Sequence, residues 1–211
     1  MKMRTAVFAL LTASLLAACG PGGQIESGDS ERADQPVSMA ASENEATSPP
    51  AGNAPSDNRS RFTSIEDSRC RLLEENVEEG GYWRRLCPGH AGYTLERSES
   101  DLRQDLVVIS PDGSRTQLRL SSIVARGAFN SLGDTVEWRG RDPADPEAMI
   151  VRMDVAHGSE PEKPDISNLV VVRLTGPVCP VAIVPPAPGQ NESARTIADG
   201  VAVSCLEPER G

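Results

Sequence analysis

His90 is the side chain in this sequence best suited to chemistry, because it sits in Cys87-Pro88-Gly89-His90-Ala91-Gly92-Tyr93. A glycine-rich loop fixed by a disulfide at Cys87 would present an imidazole beside the Tyr93 phenol, and imidazole exchanges protons near neutral pH. General acid–base work also needs a nucleophile or an orienting acid, and the sequence aligns neither with His90. The other of the two histidines, His157, precedes Gly158-Ser159-Glu160-Pro161-Glu162-Lys163-Pro164, which reads as a solvated loop. No GxSxG, HExxH, phosphate-binding glycine loop or EF-hand spacing occurs. Cys70, Cys87 and His90 offer soft metal ligands, but a fourth ligand and any CxxC are missing. On these grounds no catalytic residue, metal or cofactor is assigned.

Trp83-Arg84-Arg85 and Trp138-Arg139-Gly140-Arg141 put indoles beside guanidinium groups, a combination enriched at binding hot spots. Aromatic residues are only 3% of the chain, so both tryptophans are expected in the core. Trp83, Arg84, His90 and Tyr93 are kept together as a speculative binding set. Glu137 and Asp154 could meet across neighbouring strands, yet alternation places both on a solvated face.

The leader gives a sharper signal. Lys2 and Arg4 precede an apolar run from Ala6 to Ala18 that is broken only by Thr12 and Ser14, the pattern of an export signal. The run falls short of the about 20 apolar residues that a membrane-spanning helix needs. At its end Leu16-Ala17-Ala18-Cys19 resembles the lipobox of bacterial lipoproteins. That resemblance implies cleavage before Cys19, a diacylglycerol thioether on its sulfur and an acyl chain on its freed amine. Several acyl chains, at about 0.8 kcal/mol per buried methylene, would hold the protein to a membrane. In the Gram-negative members an aspartate after the cysteine favours retention at the inner membrane. Gly20 therefore implies the outer membrane, with the domain facing the periplasm.

With Cys19 assigned to lipid, Cys70, Cys87, Cys179 and Cys205 remain of the five cysteines. In an oxidising compartment an even set usually pairs, although four cysteines allow three connectivities. Local pairing, Cys70 with Cys87 and Cys179 with Cys205, is preferred. Each bridge would contribute on the order of 3 kcal/mol through loop closure.

Residues 20–60 hold no aromatic side chain and are rich in Pro, Ser, Gly, Ala and acids, so they predict a disordered acidic linker. The chain divides into a signal peptide at 1–18, a lipidated linker at 19–60 and one domain at 61–211. Its 31 acids against 21 Lys and Arg give a net charge of −10, which argues against nucleic acid and anionic lipid surfaces as partners.

Period-two patterns dominate the domain. Thr116, Leu118 and Leu120 predict one strand and Met149, Val151, Met153 and Val155 another. Further strands are expected at Tyr82 to Cys87, Leu106 to Ile109, Asp134 to Arg139, Leu169 to Leu174 and Val178 to Val184. Ser110-Pro111-Asp112-Gly113 predicts the turn of a hairpin. Consecutive strands imply an antiparallel sheet. One helix is expected near the end, with Asn191 as N-cap and a stripe of Ala194, Ile197, Ala198, Val201 and Cys205. Cys179 alternates in phase with Val181 and Ile183, so strand and helix could present their sulfurs to each other. The fold class is therefore α+β, an antiparallel sheet with the C-terminal helix packed on one face.

From Phe62 onward the domain is similar to uncharacterised secreted proteins of proteobacteria. The likeness runs through Cys70, Cys87-Pro88-Gly89, Gly133-Asp134-Thr135-Val136-Glu137-Trp138-Arg139 and Val178-Cys179 before a terminal cysteine. It supports the disulfide plan and implies no activity. The sequence thus points to a lipid-anchored binding or structural module for an envelope protein or glycan. The rival is a small envelope enzyme, or an inhibitor of one, using the His90 loop.

Overall fold

Alternating apolar side chains set the strands of this domain, and a computed structural model describes residues 59–78, 81–160, 162–200 and 204–208. The signal peptide, Cys19 and the linker up to residue 58 lie outside the described residues, as does Val201. The strands are β1 (Ser60–Ser64), β2 (Arg71–Asn76), β3 (Tyr82–Pro88), β4 (Thr94–Ser100) and β5 (Arg103–Ile109). They continue with β6 (Arg115–Gln117), β7 (Asn130–Arg139), β8 (Ala148–Val155), β9 (Ile166–Arg173) and β10 (Cys179–Val184). A short helix α1 (Leu120–Ile123) precedes β7, and α2 (Gln190–Asp199) follows β10.

All ten strands join one sheet in the order β10-β9-β8-β7-β5-β4-β3-β2, with β1 on β7 and β6 on β5. Every pairing is antiparallel except a single parallel bridge, Arg103 to Asn130, between β5 and β7. The sheet is therefore mixed where an antiparallel one was expected. At this joint side chains replace the missing ladder. Asn130 Oδ1 accepts from the Gln104 backbone at 3.0 Å, and Gln104 Oε1 accepts from the Leu132 backbone at 2.8 Å.

On both sides of the joint the inward faces meet in one apolar cluster. Leu95, Leu106 and Val108 pack with Val136, Trp138, Met149, Val151 and Val170, all fully or almost fully buried. Each such side chain contributes roughly 1.5–3 kcal/mol relative to exposure. A second cluster lies on the outer face of β8 to β10, where Ala148, Ile150, Leu169 and Val171 meet Ala194 and Ala198 of α2. Alanine at those helical positions lets the backbone of α2 approach the strands closely.

The hairpin at Ser110 to Gly113 forms as expected, with the Gly113 amide donating to the Ser110 carbonyl at 2.8 Å. The strand expected through Leu120 stops at Gln117. Leu118 and Leu120 are buried, but Arg119 takes a left-handed conformation (φ 56°) and Leu120 opens α1, so their spacing reflects a turn. Helix α2 starts one residue before Asn191, its N-cap position being Gly189 at φ 76°. Cys205 is not on the helical stripe, since α2 ends at Asp199 and residues 204–208 are irregular. The Leu206 amide donates to Pro180 O at 2.8 Å, and this brings Cys205 to β10. Both preferred bridges are present, Cys70 to Cys87 and Cys179 to Cys205.

Candidate functional site

The structure distributes the four sequence-derived binding residues over three places. Tyr93 and His90 flank Trp138, with ring centroids 5.7 Å and 6.4 Å from the indole. Trp138 is buried and donates its indole N–H to Thr63 Oγ1 at 2.8 Å. Burial, reinforced by Asp145 and Asp112, raises the Tyr93 pKa, so its phenol stays protonated. His90 Nε2 donates to the carbonyl of Pro143 in the loop after β7. Gly89 makes this turn possible, because a Cβ there would lie 2.3 Å from Tyr93 O. The loop closes one end of the core, and its imidazole is committed to a backbone carbonyl. The surface depression that His90 lines with Arg61, Asp142, Pro143 and Ala144 supplies no second histidine and no cysteine.

Trp83 and Arg84 are consecutive in β3 and point to opposite faces. Trp83 faces inward without being a core residue as expected, because it is only half-buried. Arg85 and Arg97 lie over its ring, 4.8 Å and 5.4 Å from the centroid, in cation–π contacts. Arg97 is nearly buried and gives its guanidinium to Gln104 Oε1 and to Ile65 O. Desolvation lowers the Arg97 pKa against the opposing pull of Asp67 and Asp134. The interior thus turns from apolar to ionic along β3 and β4, which explains why no strand is expected from the sequence at β4.

Arg84 faces outward into a concavity of about 800 Å³ on the outer face of β3 to β6. Three cross-strand rows build its floor. The first runs Glu96, Val107 and Gln117, the next Arg84, Ser98 and Asp105, and the third Tyr82, Ser100 and Arg103. The middle strand, β4, contributes serines to two rows, while its neighbours contribute long side chains. A channel between two raised rims follows from that size difference.

Glu96, with a side chain only 6% exposed, holds the upper end of the channel. Its carboxylate accepts from Arg84 at 3.3 Å and from Arg115 at 2.7 Å. Coulombic attraction to Glu96, then to Tyr82, raises the Arg84 pKa. Below it, Asp105 accepts from the Leu120 amide at 2.9 Å and from Ser121 Oγ at 3.0 Å, anchoring α1 at the rim. At the lower end Arg103 pairs with Asp101 and donates to Gly127 O.

A second glutamate sits under α2. Glu137 lies opposite Ile150, and Asp154 opposite Ser131, so the two carboxylates do not meet. Nor is Glu137 on a wet face, its side chain being 11% exposed. Ser60, Arg139 and Arg195 all donate to its Oε1, and Arg139 also makes a two-pronged pair with Asp199 of α2. Burial alone would raise the Glu137 pKa, but the bonds from Arg195 and Ser60 and the Arg195 charge outweigh it and leave it lowered.

Sequence reasoning found Arg84 but missed Tyr82, Glu96, Ser98, Ser100, Arg103, Asp105 and Arg115. The available signal was the outward set Glu96, Ser98 and Ser100 at every second position of Thr94 to Ser100. The inward set, Leu95, Arg97 and Glu99, hid it by being mostly charged. Among the described residues no group of three or more His, Cys, Asp or Glu side chains could hold a metal, and no helix is long and apolar enough to cross a membrane. No protein-family model, curated protein or solved structure matches this chain, which leaves the channel over Ser98 and Ser100 to be read from its own residues.

Proposed function

We propose that this chain is a lipid-anchored binding module of the cell envelope, held at the outer membrane through Cys19 and engaging its partner with the channel on β3 to β6. One observation carries the binding half of this reading. The outer face of β8 to β10 is covered by α2, whereas the outer face of β3 to β6 is a concavity of about 800 Å³ floored by serines and rimmed by charged side chains. The lipobox at Leu16 to Cys19 carries the anchoring half. Two disulfides fit a protein that folds outside the reducing cytosol. The α2 packing over β8 to β10 supports the α+β class. His90 is bonded to Pro143 O and, among the described residues, meets no nucleophile or orienting acid, so the binding reading is preferred to an enzyme acting through that loop.

Two measurements test the reading. Cys19→Ser should move the protein from the membrane to a soluble envelope fraction, and retention on the membrane refutes the anchor. A photoreactive residue in place of Ser98 should crosslink a partner in intact cells, while the same residue at exposed Leu72 should not. Equal labelling at both positions refutes the channel.

A further inference from the structure

The channel's chemistry identifies its ligand class, an inference that rests on the binding reading above. Its ionic side chains are Arg84, Arg103 and Arg115 against Glu96, Asp101 and Asp105, so the lining sums to no charge. Each of these arginines is already paired, Arg84 and Arg115 with Glu96 and Arg103 with Asp101. An anion entering the channel would have to compete with a carboxylate at every guanidinium, and the net charge of −10 repels polyanions before contact. An apolar ligand fares no better, because Val107 is the only aliphatic residue in the lining.

A neutral, hydroxyl-rich chain meets none of these obstacles. Each sugar hydroxyl both donates and accepts, so it needs fixed donors and acceptors side by side. The Arg84–Glu96–Arg115 cluster supplies guanidinium N–H groups next to a carboxylate, in positions set by the ion pairs themselves. Ser98 and Ser100 add hydroxyls along the floor without filling it, and Gln117 adds an amide. Tyr82 stands at the far end of the same face, where its ring can lie against the apolar side of a sugar. The floor from the Glu96 row to the Ser100 row spans four residues of β4, about 13 Å, the scale of a short oligosaccharide.

We infer that the channel over Ser98 and Ser100 binds a neutral glycan chain, with the Arg84–Glu96–Arg115 cluster and Tyr82 as its two grips. The test uses the full mature chain purified in a zwitterionic detergent free of sugar headgroups. The probes are cellohexaose, maltohexaose and the hexamer of N-acetylglucosamine, with a galacturonic acid hexamer and inorganic phosphate as anionic comparators. At least one neutral hexamer should bind by calorimetry, and Tyr82→Ala and Arg115→Ala should each weaken it by about tenfold or more, with the melting temperature of each variant showing it folded. Neutral binding that both folded variants leave unchanged overturns the assignment, as does tighter binding of either anion. If no neutral hexamer binds while the Ser98 crosslink still captures a partner, the ligand class falls and the channel stands. Loss of both removes the channel as well.

Discussion

Two nearly buried glutamates, Glu96 and Glu137, each draw in two or more guanidinium groups, yet one cluster has a sealed arginine at its centre and the other stands open at a channel rim. Around Glu137 the arginine at the centre, Arg139, has a side chain 2% exposed and reaches across to Asp199 of α2. Around Glu96 the arginines are 36% and 49% exposed and bridge neighbouring strands at the rim of the channel. The same ingredients therefore do different things according to what lies above them. At the sealed centre a charge must be matched in place, because an orphan there has no water to turn to. At an open rim a displaced guanidinium can be resolvated, so the groups are free to serve a ligand.

The largest expected effect tests the sealed half. Arg139→Ala removes the buried guanidinium that joins Glu137 to Asp199 and leaves them the more exposed Arg195 and Arg59, at a cost of about 3 kcal/mol. Arg115→Ala, at the rim, should cost about 1 kcal/mol or less. Urea unfolding of the two variants gives the comparison directly. Equal destabilisation would erase the distinction between sealed and open clusters.

Acid titration separates the halves next. The Glu137 carboxyl titrates below its ordinary value of about 4.3, so the folded state binds its proton more weakly than the unfolded chain. The stability it contributes is present above the unfolded pKa and is lost as the pH falls through the folded one. Wild-type stability should drop as the pH falls from about 4.5, and Glu137→Gln should flatten that limb while lowering stability at pH 7. An unchanged acid limb in the variant would show that Glu137 does not titrate with folding.

How much of this could be read in advance follows the same division. The sealed half is apolar on both faces near α2, so β8, β9 and β10 announce themselves through Met149 to Val155, Leu169 to Leu174 and Val178 to Val184. The disulfide partners were legible from their spacing alone, because Cys205 lies beyond α2 and a bulge in β10 puts Ile183 out of phase with Cys179. The open half was legible only in part: Tyr82 to Cys87, Leu106 to Ile109 and the Ser110 to Gly113 turn match β3, β5 and its hairpin, but β1, β2 and β4 gave no signal. Strand β4 carries Arg97 and Glu99 on its inward face, where Gln104, Asp67 and the Trp83 ring satisfy the arginine. Strand β2 is exposed along nearly its whole length, and β1 leaves Phe62 in solvent, so neither shows a periodic face. Glu137 was misjudged because alternation tells which face a residue takes but not whether a helix covers that face.

A smaller effect probes the open cluster itself. Glu96→Gln keeps the shape but removes the charge that neutralises Arg84 and Arg115, at a cost of about 1–2 kcal/mol. The channel then holds two uncompensated guanidinium groups, and inorganic phosphate should raise the melting temperature of this variant but not of the wild type. The matched change at Glu137 should give a smaller phosphate effect, since Arg139 keeps its pair with Asp199. Phosphate stabilisation of the wild type would contradict the neutral channel.

The smallest effect lies at the hairpin tip below the channel. Asp101 and Leu102 both take positive φ, 49° and 58°, in the two-residue turn between Ser100 and Arg103. Such turns favour Asn-Gly because a Cβ is strained at positive φ, by roughly 1–2 kcal/mol. The sealed half meets the same demand with glycine, Gly189 at the start of α2. Leu102 also spends its strain on an exposed side chain, 57% accessible, so little packing offsets the cost. Glycine at this position gives back about 0.4–1 kcal/mol to the unfolded chain, which leaves a net gain for Leu102→Gly of up to about 1 kcal/mol. Urea unfolding should therefore find this variant slightly more stable than the wild type, with hexasaccharide affinity unchanged because Leu102 is not among the channel's lining residues. A loss of stability would mean that Leu102 makes contacts worth more than its strain, and the open end of the domain would then be packed more like the sealed one.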